Sequence, residues 1–181
     1  SSEVYVLGVL EFRQLSGSSS GIMTLDGMEI QFNTDAECNI YQGAGIHLKG
    51  TIFQGMDCGL MWKGVDLRQD RNKSSTSKSV LKMELKTSNN ASSKIMDAYN
   101  GIKTIGKWAS IEIKSYAIFD RNEIGINVLG LEPANIAVNG AIMIGATPLR
   151  DQTKGFNFYP DYDDYQKRTI THILVNKSNV T

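Results

Sequence analysis

Apolar and polar residues alternate along residues 108–119, which read WASIEIKSYAIF. The apolar positions of this run share one parity: Ile111, Ile113, Ala117 and Phe119. A period of two residues is typical of a half-buried β-strand, because successive side chains of a strand point to opposite faces of a sheet. We therefore predict a strand over residues 109–119.

Similar apolar runs recur along the whole chain and predict further strands. They are residues 3–14, 22–32, 80–85, 123–131, 135–146 and 170–175, with shorter runs between residues 40 and 67. Asp26-Gly27 divides the second run, and Asp-Gly between apolar segments is a strong hairpin signal. We therefore predict that the first 32 residues form a meander of hairpin-connected strands.

Glycine is unusually frequent between residues 40 and 67, at positions 43, 45, 50, 55, 59 and 64. Glycine within strands usually marks a bulge, a tight bend or a close approach of two backbones. Because the spacing is uneven, these glycines do not by themselves indicate a repeat. One or two coils of a β-helix are the alternative for this stretch.

One segment carries helical signals instead. Ser92 or Ser93 is a suitable N-cap, and Gly106 is a suitable C-terminal stop. Between them, apolar residues follow helical spacing at Ile95, Met96, Tyr99, Ile102 and Ile105. The weak point is Asn100-Gly101, because glycine disfavours a helix interior. We predict one short helix near residues 93–106.

Many short strands, one helix and frequent turn residues predict an all-β fold with mostly antiparallel strands. A β-sandwich or jelly-roll-like arrangement is the expected architecture. The length of 181 residues suits a single domain over residues 1–181. Since the chain stops soon after its last predicted strand, that domain is also compatible with one module of a longer protein.

Charge and hydropathy exclude several classes of partner. The chain has 19 basic and 19 acidic residues, mixed along its length, so it lacks the positive field that attracts nucleic acid. We expect no nucleic-acid partner. No run of about 18 apolar residues occurs, so we also expect no membrane insertion. A signal-peptide layout is missing at the N-terminus, although a signal could have been removed before Ser1.

Cys38 and Cys58 are the two cysteines of the chain, in adjacent stretches that both predict strands. We favour a disulfide between neighbouring strands of an exported protein, which would contribute about 3 kcal/mol for a loop of this length. Two reduced, buried thiols are the alternative. Neither a metal site nor a cofactor is predicted, because no second CxxC or HxxxH spacing accompanies His47.

The most unusual composition is that of residues 156–165, which read FNFYPDYDDY. Aromatic rings that stack on sugars, next to carboxylates that accept hydroxyl protons, are typical of carbohydrate sites. The ligand-binding candidates here are Tyr159, Asp161, Tyr162, Asp163, Asp164 and Tyr165. The alternatives are a solvated connection pinned by its aromatic residues and a calcium site formed by the aspartates.

Other candidate residues have commoner structural explanations. Trp62 is a further ligand-binding candidate, although a tryptophan in a strand is more often part of the core. His47 and His172 lie in predicted strands and lack any accompanying nucleophile motif. The cationic loop at residues 68–78 could bind an anion, but such loops are usually only solvated. We therefore predict no catalytic residue.

Three functional hypotheses follow. The first is a non-enzymatic recognition domain of a secreted or surface-exposed protein, like a fimbrial adhesin, that binds a glycan or protein receptor through its loops. The second is a structural β-domain that assembles with copies of itself in a virus, phage or pilus. The third is a polysaccharide hydrolase that uses acids such as Glu112 or Asp163.

Overall fold

The computed structural model describes residues 2–14, 21–56, 61–70, 76–105, 108–129, 135–144 and 171–175. Within those ranges the chain forms 17 β-strands and no helix. The first nine strands are β1 (Ser2–Val6), β2 (Val9–Phe12), β3 (Gly21–Asp26), β4 (Met28–Phe32), β5 (Glu37–Tyr41), β6 (Ala44–Lys49), β7 (Ile52–Gly55), β8 (Trp62–Arg68) and β9 (Ser79–Glu84). The others are β10 (Lys94–Met96), β11 (Ala98–Ile105), β12 (Ala109–Ile113), β13 (Ile118–Asp120), β14 (Ile124–Leu129), β15 (Asn135–Val138), β16 (Ile142–Ile144) and β17 (Thr171–Val175).

The strands belong in rotation to three parallel sheets. Sheet A has the order β1-β4-β7-β10-β13-β16, sheet B contains β2-β5-β8-β11-β14-β17, and sheet C contains β3-β6-β9-β12-β15. Each strand therefore pairs with the strand three places further along the chain, as β1 does with β4 and β4 with β7. This arrangement is a three-sided parallel β-solenoid of about five turns.

The prediction of a mostly antiparallel sandwich or jelly roll was wrong. A two-residue period identifies a strand and its buried face, but it does not identify the neighbouring strand or its direction. Gly27 does form a turn with φ 65, as predicted from Asp26-Gly27. However, β3 and β4 on either side of it lie in sheets C and A, so the turn is a corner of the solenoid and not a hairpin.

The predicted helix near residues 93–106 was also wrong. This segment forms β10 and β11, separated by a bend at Asp97, whose φ is 62. Ile95 and Ile102 are fully buried, and their branched side chains pack well on a pleated surface. The register of β11 shifts by one residue between Asn100 and Ile102, so Asn100-Gly101 marks a bulge where we expected a weak point of a helix.

The core lies between the three sheets and is built of stacked columns of side chains. In sheet A one inward column consists of Val4, Ile30, Phe53, Ile95, Phe119 and Met143. Phe32 stacks on Trp62 with ring centroids 4.0 Å apart. Phe53 meets both rings edge to face. The indole N–H of Trp62 donates to the Met96 carbonyl at 2.8 Å, so this buried polar group is satisfied.

A compact polar cluster holds the turn from sheet A to sheet B. We name Asp97, Arg121 and Asn122 the buried corner. Arg121 binds Asp97 through two hydrogen bonds, with Nη2 3.0 Å from Oδ2 and Nε bound to Oδ1. The Asn122 amide donates to the Ile95 carbonyl at 2.8 Å and accepts from the Ala98 N–H at 3.0 Å. These bonds join successive coils, with Asp97 and Asn122 fully buried and the Arg121 side chain 19% exposed.

Candidate ligand-binding groove on sheet C

The structure describes only some of the residues that the sequence singled out. Trp62 is fully buried, so its ring faces are not accessible to a ligand and core packing accounts for its position. Tyr159, Asp161, Tyr162, Asp163, Asp164 and Tyr165 lie outside the described residues, and their role stays a prediction. His47 is half-buried on sheet C, and His172 is exposed on β17.

Cys38 lies in β5, is fully buried and forms no disulfide with any residue that the structure describes. Burial raises the pKa of this thiol, and the nearby carboxylate of Glu37 adds to the effect. The thiolate is therefore strongly disfavoured at this position. Cys58, the other member of the predicted disulfide, lies outside the described residues, and that pairing stays a prediction.

The outer face of sheet C presents two columns of polar side chains. Thr24, His47, Lys82 and Glu112 succeed one another on β3, β6, β9 and β12. Beside them, Asp26, Lys49 and Glu84 succeed one another on β3, β6 and β9. Because a parallel register places equivalent residues directly above one another, these strands produce a continuous polar surface from residues far apart in sequence.

A groove of about 520 Å³ crosses this surface where β9 and β12 end. Six residues supply most of its polar groups: Glu84, Glu112, Lys114, Ser115, Tyr116 and Asn139. We call this cavity the sheet C groove. Its volume lies within the range of roughly 300–1,000 Å³ that is usual for small-ligand sites.

Ion pairs connect the charged groups of the sheet C groove. Lys114 Nζ lies 3.0 Å from Glu84 Oε2 and 3.7 Å from Glu112 Oε1. Lys82 Nζ lies 3.0 Å from Glu112 Oε2. His47 Nε2 lies 3.1 Å from Glu84 Oε1. Each carboxylate therefore has a nearby cationic or imidazole nitrogen.

These pairs lower the pKa of both carboxyl groups. The hydrogen bond from Lys82 is the main cause for Glu112, and the charge of Lys82 adds to it. Partial burial acts to raise the pKa of Glu84. The hydrogen bond from Lys114 and the charges of His47, Lys114 and Lys49 outweigh this effect, so the net pKa lies below its usual range. Both groups are therefore carboxylates at neutral pH and accept hydrogen bonds.

Tyr116 extends from the turn between β12 and β13 beside these carboxylates. The residue is 58% exposed, and its backbone has a positive φ of 66. The Tyr116 N–H donates to the Gly140 carbonyl at 3.0 Å, and the Ser115 hydroxyl donates to the Asn139 carbonyl at 3.4 Å. The next coil thus holds the turn in place and positions the ring at the groove.

The conformation of Tyr116 is unusual for its residue type. Five non-glycine residues in the described ranges have a positive φ, and three of them are Asp35, Asn90 and Asp97, types that tolerate the left-handed region. A fourth, Arg121, is held by its bonds to Asp97. For a bulky aromatic residue this conformation costs about 1–2 kcal/mol. The chain therefore keeps an exposed tyrosine at a position that glycine would occupy with less strain.

Sequence reasoning identified one member of the groove and missed the others. Glu112 was a candidate acid, and the structure brings it together with Glu84 and Lys114. Asp163, named with it, lies outside the described residues. Nothing in the sequence marks Tyr116, because Lys114-Ser115-Tyr116-Ala117 contains neither glycine nor proline. To predict from the sequence that Glu84 belongs to this surface, one would have to align residues 44–49 with residues 79–84 as equivalent strands of successive coils. The long segment between them obscures this equivalence.

The described residues contain neither a metal-binding cluster nor a membrane-spanning helix. Within those ranges, no group of three His, Cys, Asp or Glu residues is arranged to hold a metal ion. No helix there is long and apolar enough to span a membrane. No known protein family matches the chain, and no curated protein or solved structure is significantly similar to it. The fold thus defines the chain only as a parallel β-solenoid.

Proposed function

We propose that this protein is a non-enzymatic recognition domain that binds a saccharide in the sheet C groove. The observation that carries the proposal is Tyr116, an exposed ring held in a strained backbone conformation beside two carboxylates. Residues in sparsely populated backbone regions cluster at ligand sites, because function outweighs their local cost.

The chemistry of the groove suits a polyhydroxylated ligand. A tyrosine ring offers an apolar face to the C–H face of a sugar and a hydroxyl at its edge. Glu84 and Glu112 are ionised and have oxygens that accept hydrogen bonds from sugar hydroxyls. Lys114 and Asn139, which carry amine and amide donors, also line the groove. A single sugar ring can therefore meet a stacking platform, acceptors and donors at once.

The carboxylates favour binding over hydrolysis. A glycosidase needs one protonated acid, whose pKa is raised, and one ionised carboxylate or base. In the sheet C groove the pKa of Glu84 and that of Glu112 are both lowered. Neither is suited to donate a proton to a leaving group at neutral pH. This supports an assignment of the two acids to ligand recognition.

A glycan array followed by titration of the best saccharide tests the proposal. We expect Tyr116→Ala to weaken binding about tenfold or more, which corresponds to about 1.4 kcal/mol. We expect Tyr116→Phe to retain most of the affinity, because the ring is kept. Tyr5→Ala is the matched control, since Tyr5 is similarly exposed but lies on β1 in sheet A.

Two results would contradict the proposal. One is saccharide binding that Tyr116→Ala leaves unchanged, because the ligand would then lie elsewhere. The other is turnover of a bound polysaccharide that depends on Glu84 or Glu112, since those residues would then act in catalysis.

A further inference from the structure

Asparagine is followed by glycine twice in the chain, at Asn100-Gly101 and at Asn139-Gly140. Glycine has no Cβ, so its backbone nitrogen is poorly shielded and the chain around it rotates freely. Such a nitrogen can attack the side-chain amide of the preceding asparagine, and the reaction needs no further residue. The surroundings of each pair therefore decide whether it reacts in the folded protein.

Asn139 and Gly140 form the corner between β15 and β16, and both residues are exposed. Gly140 has a φ of 74, in the left-handed region that glycine adopts without strain. No described residue accepts the Gly140 N–H or binds the Asn139 side-chain amide. The Asn139 carbonyl accepts a long hydrogen bond from the Ser115 hydroxyl, at 3.4 Å. The two reacting groups therefore lie in an exposed corner, and no hydrogen bond to the described part of the chain holds them apart.

Asn100 and Gly101 lie inside β11, where the fold opposes the same reaction. Gly101 is buried, and a Cβ placed on it would lie 2.5 Å from the Gly125 carbonyl oxygen. The Asn100 side-chain oxygen accepts a hydrogen bond from the Asn127 amide at 2.7 Å. The strands β8 and β14 flank β11 on its two edges. Cyclisation would have to disrupt this packing, so this pair is protected while the chain is folded.

We propose that Asn139 is a site of spontaneous deamidation in the folded protein. The Gly140 nitrogen forms a bond to Cγ of Asn139 and loses its proton, while the bond from Cγ to Nδ2 breaks and ammonia leaves. Water then opens the resulting succinimide ring at one of its two carbonyl groups. Opening at Cγ gives an ordinary aspartate. Opening at the backbone carbonyl gives an isoaspartate, in which the main chain passes through Cβ and Cγ.

Deamidation at this position changes the sheet C groove, because Asn139 lines it together with Tyr116. Either product adds a carboxylate to a cavity that Glu84 and Glu112 also line, so the groove gains negative charge. The isoaspartyl product also lengthens the main chain before Gly140, whose carbonyl accepts the Tyr116 N–H at 3.0 Å. The turn that carries the Tyr116 ring thereby loses its attachment to the next coil.

Incubation of the full chain at mildly alkaline pH, followed by peptide mapping with mass spectrometry, tests the inference. Base accelerates the first step, because the attacking nitrogen must lose its proton. In the folded protein we expect Asn139 to deamidate at least about tenfold faster than Asn100. In urea we expect the two rates to converge, because both asparagines precede glycine. Asn139→Gln is the matched control and should stay unmodified, since glutamine would have to close a larger ring.

Amide hydrogen exchange of the incubated protein tests the effect on the groove. We expect the Tyr116 N–H to exchange faster once isoaspartate has formed, whereas Asn139→Asp should keep the slow exchange because its main chain is unaltered. Equal deamidation rates at Asn139 and Asn100 in the folded chain would overturn the inference. So would modification of Asn139 only after unfolding, or unchanged Tyr116 exchange in protein that contains the isoaspartate. None of these measurements uses a saccharide, so they are independent of the proposed function.

Discussion

The buried corner and the sheet C groove contain ion pairs of the same length in opposite surroundings. Arg121 Nη2 lies 3.0 Å from Asp97 Oδ2, and Lys114 Nζ lies 3.0 Å from Glu84 Oε2. The Asp97 side chain is completely buried, whereas that of Lys114 is more than half exposed. Solvent, and not distance, therefore decides what each pair contributes to stability.

The difference in solvent exposure also distinguishes a structural role for the buried corner from a ligand-binding role for the sheet C groove. At the buried corner, Asn122 uses its amide for backbone groups of neighbouring coils, so a ligand could reach these groups only if the fold opened. In the sheet C groove, the side chains of Glu84 and Glu112 are 19% and 39% exposed, and partly exposed pairs rearrange at little cost. The buried corner is therefore suited to stabilise the fold, and the sheet C groove is suited to bind a ligand.

Removing one member of each pair gives the largest expected difference. We expect Arg121→Ala to lower the free energy of unfolding by about 3 kcal/mol, because it removes two charge-assisted hydrogen bonds from the buried Asp97 carboxylate. Lys114→Ala should cost less than about 1 kcal/mol, and added salt should reduce that cost further. Urea denaturation of both variants provides the comparison. Equal losses would mean that burial does not govern these pairs.

A substitution at Tyr116 should separate stability from binding. Tyr116→Gly removes the strain of the left-handed backbone, so we expect it to raise the free energy of unfolding by up to about 1 kcal/mol, after the entropy cost of glycine. Tyr116→Ala keeps the strain and should give no such gain. Thermal melting of both variants measures the effect. A glycine variant less stable than the alanine variant would show that the backbone strain is negligible.

Acidification should reveal a still smaller contribution to stability, that of Glu84. Its pKa is lowered in the folded state, so its stabilising effect is present above the unfolded pKa and is lost as the pH falls through the folded pKa. Glu84→Gln should therefore reduce the loss of stability between neutral pH and the acidic range, by less than about 1 kcal/mol. Denaturation curves at several pH values test this. Identical acid dependence in both proteins would contradict it.

Glu112→Gln provides a graded control for that experiment. The pKa of Glu112 is also lowered, and its side chain is more exposed than that of Glu84. We expect a change in the same direction and of smaller size, because solvent screens an exposed carboxylate more strongly.

The sequence predicted the strands and their faces better than it predicted their partners. In residues 109–119 the apolar positions Ile111, Ile113, Ala117 and Phe119 are indeed buried. Yet the run forms β12 and β13 on different sheets, because the chain bends at Tyr116. The alternation of buried and exposed positions continues across this corner, so the alternation alone could not reveal that the chain changes sheets.

The solenoid repeat was hidden by unequal spacing. Along the inward column of sheet A, Ile30 and Phe53 are 23 residues apart, and Ile95 and Phe119 are 24 apart. Between Phe53 and Ile95 the interval is 42 residues, because longer connections follow β8 and β9. A fixed period is the main sequence signal of a repeat fold, and this interval breaks it.

The predicted helix failed for a related reason. Residues 95, 99 and 102 have helical spacing, but the bend at Asp97 and the bulge after Asn100 place Ile95 and Ile102 in the core of two different strands. The groove was less predictable still. It depends on Glu84 and Glu112, which only the register of β9 against β12 brings together.

Each inner strand pairs with the coil before it and the coil after it, and this pairing has a mechanical consequence. A pulling force applied to the first residues would act on β1, β2 and β3 in turn. Each strand would detach from its neighbour in the next coil while the following coils stayed folded. The force needed for unfolding would show small successive peaks, one for each strand that detaches. We expect the highest peak where Arg121 joins two coils.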